Sequence, residues 1–327
     1  MQVGLIGMGN LGTAVANLVA QNGYDVLGWE YQAPIVEEIN TTRTNDRYLE
    51  GIQLDPKLSA TTEITAVLRD SDVLFIAIPS VFVQPTLAAV SDLVPPETVI
   101  VNMAKGIDGE TGLTSFQTLE SLFPRQRLVM LSGPSIANEF ARGLPTVVVL
   151  AGESRNELLA VAQILDNDYF RTRFSDDAIG VELGGILKNI YAIGLGMFDG
   201  MNISSTNFRA VYLTIALEEI VRVGVAMGAK VETFLYLSGI GDLLATALSE
   251  HSHNRHLGEQ LAHGLSQEQI RDEMGVLPEG YNTIKSILYI AEKLHVSAPL
   301  AKGLWDVING RVPADKFISL FIRDFVE

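Results

Sequence analysis

Apolar positions follow two regimes along the chain. Up to about residue 175, short apolar runs ("QVGLI", "DVLGW", "VLFIAIP", "TVIVNM", "RLVMLSG" and "TVVVLAG") alternate with segments of helix length. Runs that are apolar on both faces predict strands of a parallel sheet covered by helices on both sides. Beyond "YFRTRFSDD" the apolar residues recur with the helical period, from "AIGVELGGILKNIYAIGLGMF" to "KFISLFIRDFVE", and no strand pattern interrupts them. Two domains are expected: a doubly wound, mainly parallel α/β domain over 1–177 and an all-α domain over 178–327. The length of 327 residues agrees, because single cores stop growing at about 250 to 300 residues.

Charge narrows the partners. A formal net charge of −16 works against sequence-independent binding to nucleic acid or to an anionic membrane, both of which need clustered Lys and Arg. There is no run of ~18 uninterrupted apolar residues, and the opening "MQVGLIGMGN" lacks a basic region and a cleavage site. A cytoplasmic protein with no nucleic-acid and no membrane partner is expected. The absence of cysteine excludes disulfides, thiolate nucleophiles and thiolate metal ligands. The same negative field repels anionic substrates, so a phosphorylated ligand would need a local island of cations and N–H groups.

"VGLIGMGNLGTAVANLVAQNG" reads as strand, glycine turn and helix, with Gly7, Gly9 and Gly12 in the G-x-G-x-x-G register. The first glycine makes the tight turn, the second lets backbone approach a pyrophosphate, and the third packs helix on strand. The helix N-terminus then faces the phosphates, so the turn predicts a dinucleotide site. The next strand ends at Glu30, where a carboxylate would accept from the adenosine ribose 2′-hydroxyl and favour NAD over NADP. The bland reading of Glu30 is a solvated loop residue.

In "VELGGILKNIYAIG" a lone lysine, Lys188, interrupts an apolar helix. Desolvation there disfavours the ammonium and moves the amine toward acid–base work, unless the side chain merely snorkels to solvent. Gly184 and Gly185 just before it would let a ligand or the other domain approach that helix face closely. "HSHNRH" at 251–256 holds three of the chain's five histidines. Such spacing suits a metal site, a cationic patch for a phosphorylated ligand, or a polar loop.

"ELGGILKN", "AKGID" at 104–108, "SGPSIANEF" at 132–140, "SGIGDLLAT" at 238–246 and "PEGYNTIKS" at 278–286 occur in this order over essentially the whole chain. Together they resemble the soluble bacterial-type NAD(P)-dependent glycerol-3-phosphate dehydrogenases. The resemblance implies a Rossmann-type domain followed by an all-helical substrate domain. It implies NAD or NADP as cofactor, of which the reading of Glu30 prefers NAD; a homodimer is a candidate assembly, and the reaction needs no metal. Dihydroxyacetone phosphate and glycerol 3-phosphate would be interconverted by hydride transfer, feeding phospholipid synthesis. Lys188 falls on the family's general acid/base and Lys105 on its second active-site lysine, which touches cofactor and substrate; Asp242 joins them as catalytic. Gly133, Ser135, Asn189, Asp242 and Thr246 take substrate positions, and Ala137 and Glu279 cofactor positions, joined by Asn10 and Leu11 of the turn and by Pro79. Read without the family, Asp242 and Ser135 would be helix caps.

The chain also departs from that pattern. Where the family reads Ser-Arg-Asn-Arg, it has Ser252, His253, Asn254 and Arg255, so a histidine stands in place of the arginine that grips the substrate phosphate. Thr214, Ile215 and Ala216 replace a usual Thr-Arg-Gly, and Tyr31 replaces a common arginine beyond the second strand, which again suits NAD. The resemblance makes a metal site at "HSHNRH" the weakest of its readings and a weakened anion site the strongest. Two other functions stay open: a dehydrogenase of the same fold acting on a related 2-hydroxy or 2-keto compound, and a nucleotide-sensing protein without turnover.

Overall fold

The structure is a computed structural model that describes residues 1–109, 111–249, 252–274 and 277–324. The chain divides into two compact units, one of Met1–Lys105 with Leu113–Glu182, the other of Gly106–Gly112 with Leu183–Glu327. The dividing line falls inside a helix, Ala178–Gly200, whose first turns belong to the first unit.

The first unit is built on a sheet of eight strands: β1 (Gln2–Ile6), β2 (Asp25–Trp29), β3 (Leu58–Thr61), β4 (Val73–Ile76), β5 (Val99–Asn102), β6 (Arg127–Ser132), β7 (Thr146–Ala151) and β8 (Phe170–Ser175). Their order is β3-β2-β1-β4-β5-β6-β7-β8, parallel throughout except for β6 against β7. Alternation explains why the central strands read as unbroken apolar runs. Val3, Leu5, Phe75, Val101 and Val129 enter one apolar cluster, while their neighbours Ile6, Leu74, Ile76 and Ile100 enter another. Successive side chains point to opposite faces, so a strand needs apolar residues at every position only when both faces are covered. This is a Rossmann-type doubly wound sheet, with the strand order reversing between β1 and β4, where such folds bind nucleotides beyond the C-terminal strand ends.

Two strands escaped the sequence pattern, and both lie at sheet edges. β3 is only four residues long and shows Ser59 to solvent. β8 reads "FRTRFS", and only Phe170 is fully buried in it. An edge strand is covered less than a central one and carries polar side chains that mask its period.

The described residues of the second unit form helices and no strand. Leu183, Leu187, Tyr191, Phe198, Tyr212, Phe317 and Phe321 form part of its core. Glu219 is buried among them, its carboxylate accepting from the N–H groups of Leu300 (2.9 Å) and Ala301 (2.8 Å) at the start of helix Pro299–Ile308, and from Tyr191. It satisfies donors that a helix leaves open at its first turn. Burial pushes its carboxyl above the usual range despite those bonds.

Among the described residues, two stretches are long and apolar enough to cross a membrane by composition: Ala178–Gly200, 83% buried over its most apolar part, and Val231–Leu248, 33% buried. The first is a core helix. The second is broken by a π-helical turn at Leu237–Gly241 and carries Asp242 in a buried ion pair.

Candidate active site

In the first unit, the glycine turn has the form that its spacing predicts. Gly7 has φ of +102°, open to glycine at little cost, and a Cβ there would lie 2.7 Å from Ile78. A Cβ on Gly12 would lie 1.9 Å from the Gly7 carbonyl oxygen, so only glycine lets helix Asn10–Gln21 sit this close to the turn. A Cβ on Gly9, by contrast, would meet nothing within 4 Å. No side chain caps the first turn that Gly9 opens, which leaves room and N–H groups for an anion. Buried side chains brace the loop: Thr13 Oγ1 and Asn45 Nδ2 both donate to the Met8 carbonyl, at 2.8 and 2.9 Å. Asn10 is exposed and Leu11 partly buried.

Glu30 is buried rather than solvated, at 4% exposure, and accepts from the Gln32 N–H at 3.0 Å. Tyr31 beside it is 72% exposed. Pro79 is exposed beyond β4, and Lys105 is partly buried just beyond β5. Beyond β6, Gly133 has φ of +108° and Ser135 Oγ donates to its carbonyl at 3.0 Å. Ser135 is no helix cap, since Ile136 occupies the N-cap of the short helix Ala137–Phe140. Ala137 itself is buried. Gly7, Glu30, Pro79, Lys105 and Gly133 therefore all stand beyond C-terminal ends of strands.

In the second unit, Lys188 does not snorkel to solvent. Its Nζ donates to Asp242 Oδ1 at 2.6 Å and to Thr246 Oγ1 at 2.8 Å, with Lys188 14% and Asp242 2% exposed. Asp242 is likewise not the cap of its helix, Asp242–Leu248, whose N-cap is Gly241. Desolvation read from the sequence is thus met by a counterion that stabilises the ammonium. Gly184 makes the meeting possible: a Cβ there would lie 2.1 Å from the Ser238 carbonyl oxygen. Gly184 and Ser238 stand four residues before Lys188 and Asp242, so one backbone contact sets the register of the pair. The close approach allowed by this glycine is filled by the protein's own π-helical turn.

"HSHNRH" is not a loop over its described residues. His251 lies outside them; Ser252 caps helix His253–Ala262, accepting from Arg255 N at 3.3 Å. His253 is exposed at the first helical position, and Asn254 is buried. Asn254 Nδ2 donates to Asn189 Oδ1 at 3.1 Å, and its Oδ1 accepts from Gly280 N at 3.0 Å. This fixes Asn189 beside Lys188 and brings the start of helix Glu279–Lys293 alongside, with Glu279 partly buried. Arg255 turns inward. Its Nε and NH2 donate to Asp199 at 2.9 and 2.6 Å, and NH1 to the carbonyls of Ala247 and Ser249 at 3.0 and 2.5 Å. Asp199 also accepts from Arg209 at 2.5 Å. Among the described residues no group of three or more His, Asp or Glu could hold a metal ion. Asp199 was missed from sequence, although it is the lone carboxylate between Glu182 and Glu218.

Residues 2–158 match the N-terminal model of NAD-dependent glycerol-3-phosphate dehydrogenase, and 177–319 match its C-terminal model. A glycerol-3-phosphate dehydrogenase [NAD(P)+] of Carboxydothermus hydrogenoformans is 38% identical over 326 residues, covering 99% of this chain and 97% of the relative. The chain belongs to the NAD-dependent glycerol-3-phosphate dehydrogenase family. A second family member, from Staphylococcus carnosus, is 36% identical over 98% of this chain and 97% of its own. The crystal structure of the Coxiella burnetii glycerol-3-phosphate dehydrogenase superposes with a TM-score of 0.92 at 29% identity, covering 98% of each chain. The yeast enzyme, at 22% identity and a TM-score of 0.84, covers 98% of this chain and 99% of its own and shares the fold. Within the family frame, Lys188, Asp242 and Thr246 form a preassembled polar cluster, whereas His253 sits exposed at a helix N-terminus.

Proposed function

We propose that this chain catalyses the NAD(P)H-dependent interconversion of dihydroxyacetone phosphate and sn-glycerol 3-phosphate. The observation that carries the chemistry is Lys188 Nζ held between Asp242 and Thr246 in a nearly dry setting. A nicotinamide cofactor held at the glycine turn of Gly7, Gly9 and Gly12 would supply the hydride that C2 of the ketone takes up in the reductive direction. Lys188 then gives a proton to the oxygen on C2 as negative charge develops there; in the oxidative direction its amine takes that proton back. Asp242 keeps the ammonium charged and in place until transfer, and Thr246 fixes its direction. Lys105 supplies a second cation to the carbonyl oxygen, and Gly133, Ser135 and Asn189 orient the substrate. Gly7, Gly9, Asn10, Leu11, Gly12, Glu30, Pro79, Ala137 and Glu279 hold the cofactor, with NAD preferred.

We assign cofactor binding to 1–177 and substrate binding to 178–327, with Ser252 and His253 at the phosphate end. Asn254 and Arg255 support that end from behind, as their inward partners favour. A cytoplasmic enzyme with no nucleic-acid or membrane partner accords with the net charge of −16; a homodimer is the assembly we propose. The test is NADH oxidation by the purified protein with dihydroxyacetone phosphate, unphosphorylated dihydroxyacetone and other small ketones. Turnover with the phosphorylated ketone at a kcat/KM well above the others is expected. Preference for an unphosphorylated 2-keto compound would move the protein to a related substrate, a reading kept open by His253. Cofactor binding without turnover would make it a sensor.

A further inference from the structure

The end of β2 holds a second group able to read the cofactor ribose. The segment after residue 42 lies against the glycine turn: Asn45 Nδ2 donates to Met8 O, and Asn10 Nδ2 to Tyr48 O at 2.5 Å. From this segment Arg47 NH1 donates to Gln32 Oε1 at 2.7 Å, and its guanidinium lies 5.3 Å from the centre of the Tyr48 ring. Gln32 Nε2 reaches the Tyr48 hydroxyl at 3.2 Å and the Glu30 carboxylate at 3.4 Å. A buried carboxylate and a stacked guanidinium thus stand on either side of one amide side chain.

These two groups prefer different riboses. A carboxylate accepts from a 2′-hydroxyl and repels a 2′-phosphate, whereas a planar guanidinium is matched to phosphate oxygens. Tyr31, at the position next to Glu30, offers no cation and is turned to solvent. We propose that Arg47 is a specificity-determining residue that admits a 2′-phosphorylated adenosine to this site, with Gln32 as its adaptor. With a 2′-hydroxyl the network stands as seen, Glu30 accepting from the ribose. With a 2′-phosphate, a phosphate oxygen replaces Gln32 Oε1 as the acceptor of the Arg47 N–H. The cation then offsets the repulsion from Glu30, and Tyr48 keeps the guanidinium plane in place. This inference rests on the dinucleotide-binding reading above.

The test is calorimetric titration of the full-length protein with 5′-AMP and with 2′,5′-ADP, neither of which requires turnover. The wild type should bind both. In Arg47→Ala the affinity for 2′,5′-ADP should fall roughly tenfold more than that for 5′-AMP, the loss of one charge-assisted contact at an exposed site. Arg47→Lys should retain part of the difference, because it keeps the charge without the fork. Raising salt from roughly 0.05 to 0.5 M should weaken 2′,5′-ADP more than 5′-AMP in the wild type and narrow that gap in Arg47→Ala. Equal losses for the two probes in Arg47→Ala would make the residue merely structural and overturn the proposal. So would a wild type that binds 5′-AMP and not 2′,5′-ADP. A wild type that binds neither probe nor NADH would sink the dinucleotide reading itself, and this proposal with it.

Discussion

Glu182 should make the first unit less stable as pH rises, and Glu182→Gln should remove that dependence. The side chain is 1% exposed and accepts from the Phe116 N–H at 2.8 Å, in the first turn of helix Ser115–Leu122. Burial pushes its carboxyl from 4.5 up to about 8, against the hydrogen bonds from Thr114 and Phe116, with Glu120 adding repulsion. The folded state therefore keeps a proton that the unfolded chain gives up near 4.5. Stability from this group is complete below about 4.5 and is lost as pH climbs to about 8. At ~1.4 kcal/mol per pKa unit, the whole window is worth about 5 kcal/mol. Glutamine keeps an acceptor for Phe116 and does not titrate. The difference in stability between variant and wild type should grow by ~1.4 kcal/mol per pH unit between about 5 and 8. Because two units with separate cores can unfold separately, the assay is hydrogen exchange at the Phe116 amide, with the wild type and variant compared at each pH. Glu219, also raised by burial, acts in the same direction in both proteins and cancels in the difference. Parallel pH profiles for the two proteins would refute the argument, because a carboxyl already ionised at pH 5 would leave nothing to lose.

Lys188→Ala should keep NADH affinity within a few fold and cut kcat by ~100 to 10,000-fold, since the variant removes the side chain proposed to deliver the proton and leaves Asp242 without its counterion; near wild-type turnover in stopped-flow assays would exclude the acid/base role. The ratio of kcat/KM for NADH over NADPH should exceed one in the wild type and fall in Glu30→Ser, as the proposed placement of this buried carboxylate at the ribose requires. A ratio unmoved by that substitution would place Glu30 away from the ribose. His253→Arg should lower KM for dihydroxyacetone phosphate by roughly 3- to 10-fold and leave NADH binding alone, a modest gain because the position is exposed. An unchanged KM would mean that phosphate is held from elsewhere, with Lys105 the next residue to vary.

Much of this protein was legible along one dimension. β1, β4, β5 and β6 announced themselves because a strand covered on both faces must be apolar at every position. The glycine triplet was equally readable, since φ of +102° at Gly7 and the 1.9 Å approach at Gly12 are demands of the turn itself. Lys188 stood out as a charge in an apolar helix. What the sequence could not supply was partners. Periodicity says which face of a helix is buried, and not which distant side chain it meets there. Asp242 and Thr246 lie 54 and 58 residues from Lys188, and only the packing against the π-helical turn turns a desolvated lysine into a paired one. The same holds at "HSHNRH", where residues of one polar motif divide between inward clamps, Asn254 and Arg255, and an exposed His253. It holds for Arg47, brought back to Gln32 across 15 residues by the irregular segment that follows helix Ala33–Thr41. Faces are set by local spacing, whereas hydrogen-bond and ion-pair partners are set by how the elements pack, and that was decided by the tertiary structure alone.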